Sequence, residues 1–268
     1  MVPKFLYHYQ PFNIDHIKQL LSDGEIKFSR PDKLNDPWDC RIHYSIPSND
    51  GERRDAIKYF IDVDRSEFPD LSPAARAVKE SGINAELTEH DENLNWVLNE
   101  LTSGMQKEID GTYRLYSMTD VPHHPLMWGH YAMSHTGICI EFDGRSAPFA
   151  VAKKVTYRNE LPAQSLRRTD FDSLVTKSDD WKYENEYRII AKDIEFSTAA
   201  DTFHTKDDFL EIPREAIKSI TLGCSSSDKD WKSLCGAVSV SGLNVLIRRA
   251  RRSPTRYQLE FEPPFEDG

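Results

Sequence analysis

Long hydrophobic runs are missing from this chain of 268 residues. No apolar stretch reaches the roughly eighteen residues that a spanning helix needs, so no transmembrane helix and no membrane partner are expected. Basic charge is in deficit. Lys and Arg number 34 against 44 Asp and Glu, a net charge of −10. A uniformly acidic surface repels phosphate backbones, which argues against broad non-specific nucleic-acid binding. Cysteine is scarce, at Cys40, Cys139, Cys224 and Cys235, and no pair forms C-x-x-C. A chain of this length buries a core without disulfides, so four reduced thiols and a cytoplasmic location are expected. The opening MVPKFLYHYQPF has no basic segment followed by an apolar one, and no secretory signal is expected. G-x-G-x-x-G, the P-loop, G-x-S-x-G and H-E-x-x-H are absent as well. Dinucleotide-fold, nucleoside-triphosphatase, hydrolase-elbow and zincin readings therefore lack their motifs.

What is present reads as one α+β domain. FLYHY alternates β-formers as a strand. FNIDHIKQLLSDG is a helix with Asn13 as N-cap, Ile14, Ile17, Leu20 and Leu21 on one face, and Gly24 as its stop. EIKFS is a short strand, and RPDKLNDPWDC is turn chemistry. From about residue 53 to 111 the pattern is helical, with Trp96, Leu98 and Leu101 as an apolar stripe. Strands then dominate: TYRLYSMT, TGICIEFD, KKVTYRN, YRIIAKD, FLEI and AIKSITLG. SDKDWKSLCGAVS is a helix, and a hairpin turning at Ser253-Pro254 closes the chain.

Three segments carry candidate chemistry. His8 sits between Tyr7 and Tyr9 on a strand that leads to a turn-rich loop, where clefts are built. The run from Leu126 to His135 is rich in aromatics and histidines. On a helix Trp128 and Tyr131 would share a face, as would Tyr131 and His135. That face is either core or an aromatic wall for a flat ligand. The third segment is Trp181–Arg188. As a strand it would point Glu184, Glu186 and Arg188 to one face, and two carboxylates there can stabilise a cation or take a proton. His123, His124, His130 and His135 cluster without a cysteine partner, and no metal is expected. The basic run Arg248, Arg249, Arg251, Arg252 and Arg256 either balances acidic neighbours or steers an anionic partner.

LYHY, LNDPWD, LMWGHYAMSHTGICIEFD and WKYENEYRII together resemble an uncharacterised bacterial domain family of unknown function, over most of the chain. Their order also resembles the His-Tyr-Glu branch of the ADP-ribosyltransferase superfamily. YHYQPFNIDHIKQLLSDG is similar to its histidine strand and helix. YENEYRII is similar to its glutamate strand and to the Glu-x-Glu pair of mono-ADP-ribosylating toxins. That resemblance implies a split, mostly antiparallel sheet spanning residues 1–268 with a helical insertion at about 53–111. It implies an enzyme that breaks the nicotinamide glycosidic bond of NAD and passes ADP-ribose to a protein or nucleic-acid acceptor, or to water, in a toxin or phage-defence setting. By resemblance, His8 and Tyr9 border the ribose and Tyr131 stacks on nicotinamide, with Tyr116 or Tyr113 as its alternatives. Trp128 and Arg188 complete the cofactor pocket. Glu186 stabilises the oxocarbenium-like transition state, and Glu184 orients or deprotonates the acceptor. Tyr9 stands where the polymerases carry glycine, and no Ser-Thr-Ser precedes the glutamate. The rival readings are a nucleotide- or partner-binding module without turnover, and a metal-dependent hydrolase or nuclease built on His130, His135 and carboxylates.

Overall fold

Alternation along the first strand sets up the whole architecture. In the computed structural model, which describes residues 2–89, 91–164, 166–167, 172–195 and 203–261, FLYHYQ forms β1 (Phe5–Gln10) and buries Leu6 completely. Next comes α1 (Ile14–Asp23), with the Asn13 side chain accepting from the Asp15 and His16 amides and Gly24 ending it at φ 73. Its buried face is Ile17, Leu20 and Leu21; burial stabilises by about 1.5–3 kcal/mol for each such side chain. Two short strands, β2 (Glu25–Lys27) and β3 (His43–Tyr44), lead into α2 (Asp50–Glu67), α3 (Pro73–Glu89) and α4 (Asp91–Thr112). Leu94 and Leu98 form the buried line of α4, whereas Trp96 is 65% exposed. Residues four apart share a helix face and a residue midway between them points elsewhere, which corrects the expected Trp96–Leu98 stripe.

Then follow β4 (Tyr113–Thr119), α5 (Pro125–His130), β5 (Ile138–Asp143), β6 (Lys153–Lys154), β7 (Thr156–Arg158), β8 (Ala163–Gln164) and β9 (Thr176–Ser178). The last elements are β10 (Glu186–Asp193), β11 (Phe203–Thr205), β12 (Phe209–Glu211), β13 (Ile217–Leu222), α6 (Asp228–Ser241), β14 (Leu246–Arg252) and β15 (Leu259–Phe261). The main sheet runs β11-β10-β4-β1-β5-β13-β14-β15, with β6 added to β10. It is mostly antiparallel; β10 with β11 and β13 with β14 are its parallel pairs among the described residues. One face packs Leu6, Ile140, Phe142, Ile189 and Ile220 against Ile17, Leu21, Leu234 and Val238 of α1 and α6. The opposite face carries Tyr9, Cys139 and Ala250 under Met127, Trp128 and Leu259.

The sheet opens between β1 and β4. These strands share one registered pair, Tyr7 opposite Thr119, whereas β1 pairs with β5 along its full length. Further along β4, Leu115 exchanges both backbone hydrogen bonds with Ser29, each 2.8 Å. The Phe28–Ser29 segment thus wedges the two strands apart, and the gap is where the site lies.

Two expected local structures differ. α5 stops at His130, and Met133, Ser134 and His135 all take positive φ (48°, 53° and 67°). Tyr131 and His135 therefore do not share a helical face. Glu184 is not on a strand: residues Asp179–Glu184 form a 3-10 turn that Asn185 closes in the left-handed region at φ 44. β10 starts only at Glu186.

Candidate active site

The gap between β1 and β4 widens into a cavity of about 540 Å³ lined by Tyr7, His8, Tyr9, Tyr131, Glu184 and Glu186, with Asn35 and Lys177 at its edge. Strand register decides who faces it. Tyr7, Thr119 and Glu186 lie in one lateral row, and Ser117 stands opposite Arg188. Side chains on that face share the side of the sheet that carries the charged groups.

At the centre is a buried ionic cluster. Arg188 grips Asp39 with two bonds, at 2.6 and 2.8 Å, and Glu186 with two more, at 2.7 and 2.9 Å. Lys177 Nζ lies 2.7 Å from Glu184, 3.4 Å from Glu186 and 3.7 Å from Asp39. Tyr131 Oη donates to Glu184 Oε1 at 2.5 Å, and Asn35 Nδ2 donates to Tyr131 Oη at 3.4 Å. The Glu186 amide donates to Tyr157 Oη at 2.8 Å. All five charged side chains are buried. Three carboxylates face two cations, so one negative charge is in excess.

That excess is unequally shared. Burial would raise the Glu186 carboxyl, but the charges of Arg188 and Lys177 outweigh it and hold Glu186 below the usual carboxylate range. For Glu184 burial wins over Lys177, and its proton affinity is raised. Burial would lower Lys177, yet Glu186, Glu184 and Asp39 keep it a firm cation. Burial, followed by the Glu184 charge, raises the Tyr131 hydroxyl well above its normal value, so it stays a donor. Two adjacent carboxylates pushed apart in this way are one fixed anion and one proton carrier.

The other predicted residues fall into place unevenly. His8 turns to the core face: its ring stacks on Tyr116 with centroids 4.3 Å apart, and its Nδ1 is 2.8 Å from the Ser117 carbonyl. Burial lowers its pKa to about 4, partly opposed by that bond. Tyr9 lines the cavity, but its hydroxyl donates to the Val121 carbonyl at 3.3 Å. Trp128 is 0% exposed, donates its indole N–H to the Pro122 carbonyl and meets Tyr9 edge-on, so no face is left for a ligand. It is core, not a pocket wall. Arg188, at 1% exposure, is spent on Asp39 and Glu186 rather than on a phosphate. Of the alternative tyrosines, Tyr116 borders the cavity with Tyr131, while Tyr113 sits opposite Lys192 at the far end of β4.

Asp39 and Lys177 were not assigned roles by sequence reasoning. The available signal was LNDPWD: Trp38 N donates to Asp36 Oδ1 at 2.9 Å, and the resulting tight turn delivers Asp39 to Arg188. His130 edges against the rings of Tyr131 and Trp181, while His135 is held by the left-handed loop. Among the described residues no group of three or more His, Cys, Asp or Glu side chains is arranged to hold a metal ion. In the arginine run Arg248 pairs with Glu141, Arg249 with Asp228 and Arg251 with Glu260. Three of the five arginines of that run thus face acidic neighbours.

Residues 127–189 match a family described as Protein of unknown function (DUF2971). The matched segment holds Tyr131, Lys177, Glu184, Glu186 and Arg188; it leaves out LYHY and LNDPWD and covers less than half of the chain. Comparison with curated proteins and with solved structures found no match. Among the described residues no helix is long and apolar enough to cross a membrane.

Proposed function

We propose that this cavity is the active site of an ADP-ribosyltransferase-like enzyme that cleaves the nicotinamide glycosidic bond of NAD and transfers ADP-ribose to a macromolecular acceptor or to water. The observation that carries the reading is the Glu184–Glu186 pair, buried beside a cavity at a sheet opening and split in proton affinity. The cavity volume of about 540 Å³ suits a small ligand.

Departure of nicotinamide breaks the C1′–N bond and leaves positive charge on the ribose ring. Both Glu186 oxygens are taken by Arg188, so the stabilising role that the resemblance gives to Glu186 passes here to the cluster's excess negative charge and to Glu184, which favour that charge selectively as it forms. The acceptor oxygen or nitrogen then bonds to C1′ and gives its proton to Glu184, whose raised affinity suits a base. Glu186, clamped by Arg188, holds Lys177 and through it the Glu184 carboxylate. An acceptor of either macromolecular class fits this chemistry.

The test is nicotinamide release from NAD by wild type, Glu184→Gln and Glu186→Gln, each with its urea midpoint. Glu184→Gln is expected to lose about 100-fold or more in release, the scale of a lost acid–base group, with a smaller fall in midpoint than Glu186→Gln because Lys177 keeps Glu186 and Asp39 as partners. Glu186→Gln is expected to lose both. Full activity in Glu184→Gln, or no release by wild type even with lysate as acceptor, overturns the proposal. A binding module without turnover is favoured by one observation, the capping of both Glu186 oxygens by Arg188. It predicts that NAD raises the unfolding midpoint while no nicotinamide is released.

A further inference from the structure

A second, larger cavity of about 1000 Å³ adjoins the first. Asn35, His130 and Lys177 are the wall the two share. Its lining is unlike that of the first. Trp38, on the lip, is 65% exposed, and Trp181 and Tyr183 are partly exposed beside it with their ring centroids 6.1 Å apart. A large indole left mostly in water at a cavity mouth is costly for the free protein and marks a contact surface. Two buried polar groups of the same lining have no hydrogen-bond partner among the described residues: Ser173 Oγ, on a side chain with 3% exposure, and His43 Nδ1. Buried polar atoms are almost always paired, so these two are unspent hydrogen-bonding capacity just behind the lining. Arg158, on β7 at the rim, has no ion-pair partner among the described residues.

We infer that this cavity is a nucleobase-binding site, taking a single-stranded nucleotide with its base stacked on the Trp38 and Trp181 side and its phosphate toward Arg158. Planar aromatic platforms, a few buried polar groups and one free cation form the set that reads a base with its phosphate. A peptide side chain would satisfy the polar pair but has no use for two indoles and a tyrosine together. The net charge of −10 confines the interaction to the cavity rather than to a nucleic-acid track along the surface. The same base could arrive as a free mononucleotide or at the end of a strand. Calling this the acceptor side of the reaction rests on the function proposed above; base binding does not.

The experiment is equilibrium binding without NAD, by titration calorimetry, to the full chain. The probes are the four mononucleotides, ribose 5-phosphate and a mixed-sequence single-stranded tetranucleotide. Wild type is expected to bind at least one base-containing probe more tightly than ribose 5-phosphate. Trp38→Ala, a change at an exposed position, is expected to weaken that binding about tenfold, the scale of one lost base stack. Ser173→Ala is expected to change the preference among bases. Tight mononucleotide binding identifies a free nucleotide as the source, and binding of the tetranucleotide alone identifies a strand; both support the site. Affinity equal to that of ribose 5-phosphate, unchanged binding in Trp38→Ala, or binding of none of these probes overturns it. Failure here with nicotinamide release intact removes the base site and leaves the NAD chemistry standing; the converse result does the reverse.

Discussion

Asp39 and Arg188 stand 149 residues apart in the chain, yet their buried side chains meet through two hydrogen bonds. Replacing Asp39 by Asn leaves a buried guanidinium with one carboxylate instead of two. Breaking such a pair costs about 3–5 kcal/mol, far more than a surface ion pair would. A large fall in the urea midpoint is therefore expected for Asp39→Asn, and a midpoint equal to wild type would contradict the cluster. His8 supports a second prediction at this scale. Its folded pKa of about 4 lies below its ordinary value of 6.5, so on acidification the unfolded chain takes the proton first. The stability it provides is complete above 6.5 and drains away between there and about 4, by up to ~3 kcal/mol. Unfolding measured at pH 7 and pH 4.5 should fall less steeply in His8→Gln than in wild type. The histidine's presence on a strand was legible in the sequence. Which face it turned to was not, because that depends on the register with β5, set by the burial of Leu6 and Phe142 together.

Elements that announce themselves in sequence do so through their ends. α1 has both of its signals, the Asn13 cap and the Gly24 stop, and lies where they predict. Asn13→Ala should lower stability by about 1 kcal/mol through two uncapped amides. Gly24→Ala should cost more than Asn13→Ala. Its φ of +73 disfavours any Cβ, and that Cβ would sit 2.4 Å from the Ile212 carbonyl oxygen. Chemical denaturation of the two variants side by side gives the order, and a neutral Gly24→Ala would refute the close approach. The segments read less well were those where long-range contacts override local preference. Met133, Ser134 and His135 have no glycine to justify their left-handed backbone, yet Ser134 and His135 donate to Gly129 and Trp128 carbonyls and are held there. Glu184 ends a turn instead of extending a strand for the same reason: Lys177 and Tyr131 fix its carboxylate.

Across the whole molecule, the helical stretch expected at about 53–111 braces the site from behind. Near the end of α4, Gln106 accepts from the Ile42 amide at 3.1 Å and donates to the Cys40 carbonyl at 3.3 Å, and Asp110 pairs with Arg41 at 3.0 Å. The loop that carries Asp39 is thereby clamped to α4. Gln106→Ala leaves two backbone groups of that loop without their partner, which costs about 1–3 kcal/mol. It should also slow nicotinamide release although Gln106 touches no cavity group; an unchanged release rate with a lowered midpoint would confine the brace to stability. By itself the sequence determined the α+β class, most strands and helices, the capped ends of α1 and the two glutamates worth mutating, because periodicity, capping and turn chemistry act over a few neighbouring residues. Only the tertiary structure decided that Trp128 is core, that Arg188 holds carboxylates, and that Asp39 and Lys177 join Glu184 and Glu186. Those outcomes depend on which distant groups the fold buries together, and a buried charge takes whatever partner the fold brings within hydrogen-bond reach.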